Sequence, residues 1–238
     1  MLLFLLAIML ALNMLWTDIR FSNTPTPERQ KVNKNGGIEM SNLDSLRQVL
    51  RKTDIINRTQ LWKLIKALGI SEKGEGAEIG TWTGDTAYSI LDNWGGTLYM
   101  IDPYTHLDIG SYKRFTNKEQ TEMDEKFSET QKRMKRFGER AIFVRKLAKH
   151  AHRDFSDMFF DWIFIDGDHT LRGIFADVWY YWDKVRPGGL FCGHDYRHTP
   201  GTDEIETIAV KDIVDALSYT IDVPIYTKSD GVWCTIKP

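Results

Sequence analysis

Asp166, Asp168 and His169 crowd into FIDGDHT, residues 164–170, directly after the apolar run Phe159, Phe160, Trp162, Ile163, Phe164, Ile165. Leaving charges unpaired in a core is costly, so three ionisable groups at the tip of a buried strand imply that the strand opens onto a cleft. Carboxylates there can orient a hydroxyl or hold a hard cation, and a histidine can take a proton near neutral pH. A further aspartate, Asp195 in GLFCGHDY, follows another apolar run and is preceded by His194.

Two further stretches carry ligand-binding chemistry. In AEIGTWTGDTAYSIL, residues 77–91, a short strand ends at Glu78-Ile79-Gly80 and a helix begins just past Gly84, with Thr81 in the turn. Glycines let a backbone approach a ligand, and a helix start supplies free N–H groups. The spacing is Glu-x-Gly-x-x-x-Gly rather than the Gly-x-Gly-x-x-Gly of dinucleotide enzymes, and such a turn can also be purely structural. In TLYMIDPY, Asp102 ends the next strand. An acid in that place can accept both hydroxyls of a ribose, or it can cap a turn before Pro103.

The elements that must position these groups alternate along the chain. Ser41 with Asp44 resembles a capping box for a helix to about Lys52, and a second helix from about Thr59 carries Leu61, Leu64, Ile65 and Leu68. Then come EGAEIGT, a helix near 85–92, TLYMID, a polar helix near 117–137, AIFV, a short helix near 147–156, DWIFI, a helix near 171–185, and GLFCG. This alternation predicts an α/β fold, a doubly wound parallel sheet with helices on both faces. A further helix is expected with Ile205, Ile208, Ile213, Val214 and Leu217 inward, followed by a hairpin turning at Ser229-Asp230-Gly231. The polar helix is read as a solvated helix on the sheet or as a lid over an acceptor pocket.

Composition narrows the partners. The formal charge is −2, with 27% charged residues, so no global basic field recruits nucleic acid. Lys132, Arg133, Lys135 and Arg136 share their helix with acids and lack interleaved aromatics, so no nucleic-acid partner is expected. Cys192 and Cys234 sit in strand-like surroundings and are read as buried free thiols, a disulfide being the alternative. Residues 1–20 form a hydrophobic anchor or signal segment, because Met1–Trp16 holds no charge. Sixteen helical residues reach roughly 24 Å, short of a bilayer core of about 30 Å, so an anchor, a cleaved signal and an interfacial helix stay open. The expectation is a single-pass membrane anchor through residues 2–16, or a secreted or luminal protein if the segment is cleaved. Residues 21–40 read as a linker and residues 41–238 as the catalytic domain. Asn57-Arg58-Thr59 is a glycosylation sequon or a helix cap.

Over about residues 55–238 the chain resembles class I S-adenosylmethionine-dependent methyltransferases. The resemblance rests on AEIGTWTGDT, LYMIDPY and DWIFIDGDHTLRGIFADVWYYWDKVRPGGLFCGHDY. It looks most like the branch of macrocin-type sugar O-methyltransferases and the related cephalosporin-hydroxylase group. The resemblance implies a Rossmann-like sheet of seven strands with a C-terminal antiparallel hairpin. It puts the methionine end of S-adenosylmethionine at Glu78, Gly80, Thr81 and Gly84, its ribose on Asp102, and Asp166 on the border of the same site. The adenine falls near Arg145–His150, where Lys146-Leu147-Ala148 departs from the family's usual Gly-Asp-Ser or Gly-Asp-Ala, so no adenine contact is named. Asp166, Asp195 and His194 become candidate ligands for Mg²⁺ or another divalent cation, and His169 a candidate general base beside Asp166. The family often has Asp-Asp-Tyr where this chain has His194-Asp195-Tyr196, which leaves His194 a ligand or a hydrogen-bonded loop histidine. His169 can equally cap the next helix, and Asp168 reads as that helix's N-terminal acid. The function implied is O-methyl transfer to a hydroxyl of a small molecule or glycan. An inactive cofactor-binding, membrane-tethered module and a hydroxylase-like reaction on the same fold stand as alternatives. The acceptor and the oligomeric state are not legible.

Overall fold

The computed structural model describes residues 42–106, 118–201 and 208–238. β1 (Glu75–Ile79), β2 (Thr97–Ile101), β3 (Ala141–Val144), β4 (Phe160–Ile165), β5 (Val185–Gly193), β6 (Tyr226–Thr227) and β7 (Trp233–Ile236) form one sheet in the order β3-β2-β1-β4-β5-β7-β6. The first five are parallel, and β7 runs antiparallel between β5 and β6. The chain leaves β1 towards β2 on one side and returns through β4 on the other. That reversal of strand order opens a crevice at the carboxyl ends, where ligands bind in this architecture.

Strands covered on both faces are predominantly apolar, and all six residues of β4 are buried, Asp161 among them with its carboxylate paired to Arg186. Their alternation divides them between two layers. Trp162 and Phe164 join Leu61, Ile90, Trp94 and Cys192 on one face, while Ile163 and Ile165 join Ile174, Tyr181, Phe191 and Trp233 on the other. Each such side chain contributes roughly 1.5–3 kcal/mol by leaving water. The first layer is covered by α1 (Asn42–Lys52), α2 (Trp62–Ala67) and α3 (Asp85–Asn93). The second is covered by α5 (Ala148–Ala151), α6 (Leu171–Trp182) and α7 (Val210–Ile221). Between β2 and β3, α4 (Gln120–Met134) runs on into a 3-10 turn, Lys135–Arg140, and buries Met123 and Met134. Arg133 and Arg136 of this segment pair with Asp85 and Asp92 of α3.

Several expectations are corrected. Ile208 lies outside α7 and bridges Thr199 instead, because the helix starts at Val210; Ile205 lies outside the described residues. β5 begins at Val185, ahead of the Pro-Gly-Gly bend. The cap of α6 is Thr170, whose Oγ1 accepts from Gly173 N at 3.1 Å, and not His169. The expected membrane anchor is corrected as well: among the described residues no helix is long and apolar enough to cross a membrane. Residues 2–16, on which that expectation rested, the linker 21–40, and Ser41 of the capping box lie outside the described residues.

Candidate active site

The ladder hydrogen bonds run one residue past the strands and set the candidate groups in a row. Gly80 N donates to Ile101 O at 2.9 Å, Asp166 N to Ile79 O at 2.8 Å, and His194 N to Ile165 O at 2.9 Å. Gly80 holds φ +88°, and a Cβ there would come within 2.2 Å of the Asp166 carbonyl oxygen, so only glycine fits. Gly84, at φ +73°, is the N-cap of α3.

Asp166 and Asp195 face each other across two imidazoles. His169 Nε2 lies 3.4 Å from Asp166 Oδ1 and 3.4 Å from Asp195 Oδ2. His194 Nδ1 lies 3.6 Å and 3.5 Å from the same two oxygens. The outer oxygens meet guanidinium groups, Asp166 Oδ2 at 3.4 Å from Arg58 Nε and Asp195 Oδ1 at 2.8 Å from Arg197. Asp230 closes the ring, 3.3 Å from His194 Nε2, and also accepts from Arg58 N.

Burial alone would raise both acids. The histidines outweigh it, so Asp166 lies below its ordinary value and Asp195 falls to about 2, with Arg197 contributing. Burial opposes the charged form of His194, but hydrogen bonding and attraction from Asp166 and Asp195 raise it to about 10. His194 is therefore an imidazolium at neutral pH, already matched to the carboxylates. The oxygen and nitrogen atoms that gather most closely as a possible cation site belong to Asp166, His169 and Asp195, all within 4.8 Å of one another. That set of two carboxylates and one imidazole fits a divalent cation such as Mn²⁺ or Mg²⁺. His169 thus joins the expected ligands, and His194 must lose a proton before it can serve as one.

On the other side of Asp166 lies the glycine turn. Glu78 is 2% exposed; burial first and the Asp166 carboxylate second hold its pKa well above the ordinary range. Glu78 Oε2 and Thr81 Oγ1 are buried without hydrogen-bond partners among the described residues. They fit a ligand carrying an amino-acid end, which can satisfy both. Asp102 Oδ2 accepts from Trp82 N and Oδ1 from Tyr104 N, each at 2.9 Å, and each oxygen keeps a second lone pair for a ligand hydroxyl. A groove of about 610 Å³ between α4 and β3 lies outside this row and is lined by residues such as Lys132, Met134 and Phe143.

The structure thus brings Glu78, Gly80, Thr81, Asp102, Asp166, His169, His194 and Asp195 to one edge of the sheet. Arg58, Arg197 and Asp230 were missed. Arg58 sits inside a sequon and Asp230 in a turn, and nothing in their spacing points to Asp166 or His194.

A family model described as a methyltransferase domain matches residues 77–196. The chain belongs to that family. The methyltransferase is S-adenosylmethionine-dependent and class I in architecture, with the antiparallel β5-β7-β6 end. Solved structures share its fold at low identity. An O-methyltransferase from Bacillus cereus in complex with SAH is 15% identical with a TM-score of 0.53, covering 95% of this chain and 97% of that one. A candidate caffeoyl-CoA O-methyltransferase from Staphylococcus aureus is 14% identical with a TM-score of 0.58, covering 83% and 93%. A candidate O-methyltransferase from Klebsiella pneumoniae is 13% identical with a TM-score of 0.54, covering 95% and 96%. Among curated proteins none matches the sequence.

Proposed function

We propose that this methyltransferase transfers a methyl group to a hydroxyl oxygen of a small-molecule acceptor, a sugar hydroxyl included. The observation that carries the reading is His169 Nε2 placed 3.4 Å from both Asp166 and Asp195 at the carboxyl edge of β4 and β5. A hydroxyl must give up a proton as it is methylated. A neutral amine can attack before it loses its proton and so has less need of an imidazole flanked by two carboxylates.

S-adenosylmethionine supplies a methyl group on a positively charged sulfur. Glu78, Gly80, Thr81 and Gly84 would receive its amino-acid end and Asp102 its ribose. Asp166 sits between that turn and the acid–imidazole cluster, so it can border donor and acceptor together. The S–CH₃ bond breaks as the O–CH₃ bond forms, and the sulfur keeps the electron pair of the broken bond. His169 Nε2 takes the hydroxyl proton, and the two carboxylates stabilise the imidazolium that results. Asp166 and Asp195, with a deprotonated His194, would hold a divalent cation, whereas a cation taken by His169 Nε2 would displace it from the base role. Such a cation would lower the pKa of the bound hydroxyl.

The test uses the full chain with methyl-labelled donor, a panel of catechols and sugars, and parallel reactions with EDTA, Mg²⁺ or Mn²⁺. Expected is a labelled methyl ether, with His169→Ala lowering turnover roughly 10²–10⁴-fold. By calorimetry that variant should bind S-adenosylhomocysteine as well as the parent does. A labelled amine or carbon product would overturn O-methylation, and undiminished turnover by His169→Ala would remove the base role. Full activity in EDTA would remove the cation.

A further inference from the structure

In the loops after β1 and β2, two non-glycine residues take left-handed backbone, Trp82 with φ 48° and Tyr104 with φ 42°. Such strain persists only where the surroundings over-determine it. Here the two residues determine each other. The Asp102 carboxylate accepts both of their N–H groups, and the Tyr104 hydroxyl donates to the Trp82 carbonyl at 2.7 Å. One carboxylate and one phenol thereby lock two loops on adjacent strands.

The phenol is itself held in place. Tyr104 is almost fully buried, and its ring centroid is 5.0 Å from that of Phe127 on α4. Its carbonyl accepts from Gln120 Nε2 at 3.2 Å and from the Arg145 guanidinium at 2.8 Å. Thr130 of α4 also approaches the Trp82 carbonyl, at 3.2 Å, but it lies closer to Lys126 O, at 2.9 Å. A hydroxyl has one proton to give. Lys126 O is the better acceptor for it, so Tyr104 is the side chain that fixes the Trp82 carbonyl.

We infer that Tyr104 is a positioning residue for the methyl donor: its phenol holds the Trp82 peptide, and with it the Gly80–Gly84 turn, in the shape that receives the donor's amino-acid end. The inference rests on assigning that turn to the donor. Without the phenol the Trp82 carbonyl loses that anchor, and the donor binds only the fraction of molecules whose turn is correctly formed. Losing one hydrogen bond of ordinary strength lowers the ratio of formed to unformed turn roughly fivefold, and the Kd rises in the same measure where the unformed turn then dominates.

Calorimetry on the full chain tests this with S-adenosylhomocysteine and, separately, adenosine, which lacks the amino-acid end. Tyr104→Phe keeps the ring and removes the donor hydroxyl. Its Kd for S-adenosylhomocysteine should rise about three- to tenfold, with its Kd for adenosine and its Tm close to the parent's. Thr130→Val should change either Kd less than twofold. Phe127→Leu, which frees the Tyr104 ring to turn, should repeat the pattern more weakly and serves if Tyr104→Phe does not fold. Unchanged binding of S-adenosylhomocysteine overturns the inference, and equal losses for both ligands show a general structural role instead. Gly80→Ala separates the underlying assignment. If it binds like the parent, the turn is not the donor site; if it loses binding while the Tyr104 and Phe127 variants keep it, only the positioning role fails.

Discussion

Asp177 is a carboxylic acid on the sheet-facing side of α6, among Ile174, Val178 and Tyr181, with 4% of its surface exposed. Its Oδ2 has no hydrogen-bond partner among the described residues. It packs beneath the turn that carries Asp166, since a Cβ on Gly167 would come within 3.1 Å of that oxygen. Burial, then repulsion from Asp168, pushes its pKa well above the ordinary range. Below the unfolded value near 3.9 both states hold the proton and the group costs nothing. Above it the unfolded chain ionises while the folded one stays neutral, so stability is lost with rising pH until the folded value is passed. Asp177→Asn should therefore melt above the parent at pH 8 and show no such gain at pH 4. The gain is about 2–4 °C for each kcal/mol relieved. Equal melting points at pH 8 would show that the buried acid carries no penalty. At this scale the sequence showed much of the site, because Glu78, Asp102, Asp166 and Asp195 each stand where a strand stops and polarity begins. Arg58 and Asp230 were illegible because they reach the cluster from separate loops through tertiary contacts alone.

Elements were readable wherever burial on both faces wrote a near-continuous apolar run, as in β4, which only Asp161 interrupts. They were misread where apolar spacing had two explanations. Ile208 fits the helical period of Ile213 and Leu217, yet it forms a bridge with Thr199. Val185 was assigned to the preceding helix and instead pairs with Phe160 as the first residue of β5. The C-terminal pairing of β5 with β7 places Cys192 opposite Cys234, both buried thiols and both without a disulfide. Cys192 Sγ donates to Ile163 O at 3.1 Å, and Leu50 of α1 packs in the same core layer as both cysteines. Burial raises both thiols, Cys192 well above its usual range and Cys234 to about 12. Little thiolate exists to react at neutral pH. An aromatic disulfide reagent should leave both cysteines of the native protein untouched and modify both in denaturant. Leu50→Ala removes part of that cover, at a cost of about 2–5 kcal/mol, and should bring Cys234 into reach. Rapid modification of the unaltered native protein would show that α1 does not seal this end of the sheet.

For the molecule as a whole, the proposed donor site ties distant parts of the chain together. The proposed contacts come from the loops after β1, β2 and β4, which are far apart in sequence and meet only because strand order reverses at β1. A ligand that needs all three loops in place binds the folded state alone and stabilises it by mass action. At 100 times its Kd the stabilisation is about 2.7 kcal/mol. In a chain of this length that corresponds to a rise in Tm of roughly 5–11 °C. In the proposed arrangement adenosine engages only the β2 side and methionine only the glycine turn, so each alone at the same concentration should shift Tm by far less than S-adenosylhomocysteine does. Asp102→Ala should reduce the response to S-adenosylhomocysteine and adenosine but spare that to methionine, provided its own Tm shows the loop after β2 intact. Scanning calorimetry of the full chain with each ligand decides between the outcomes. A shift with methionine as large as that with S-adenosylhomocysteine would place the binding energy at the glycine turn alone, and no shift with any of them would remove the donor from this crevice.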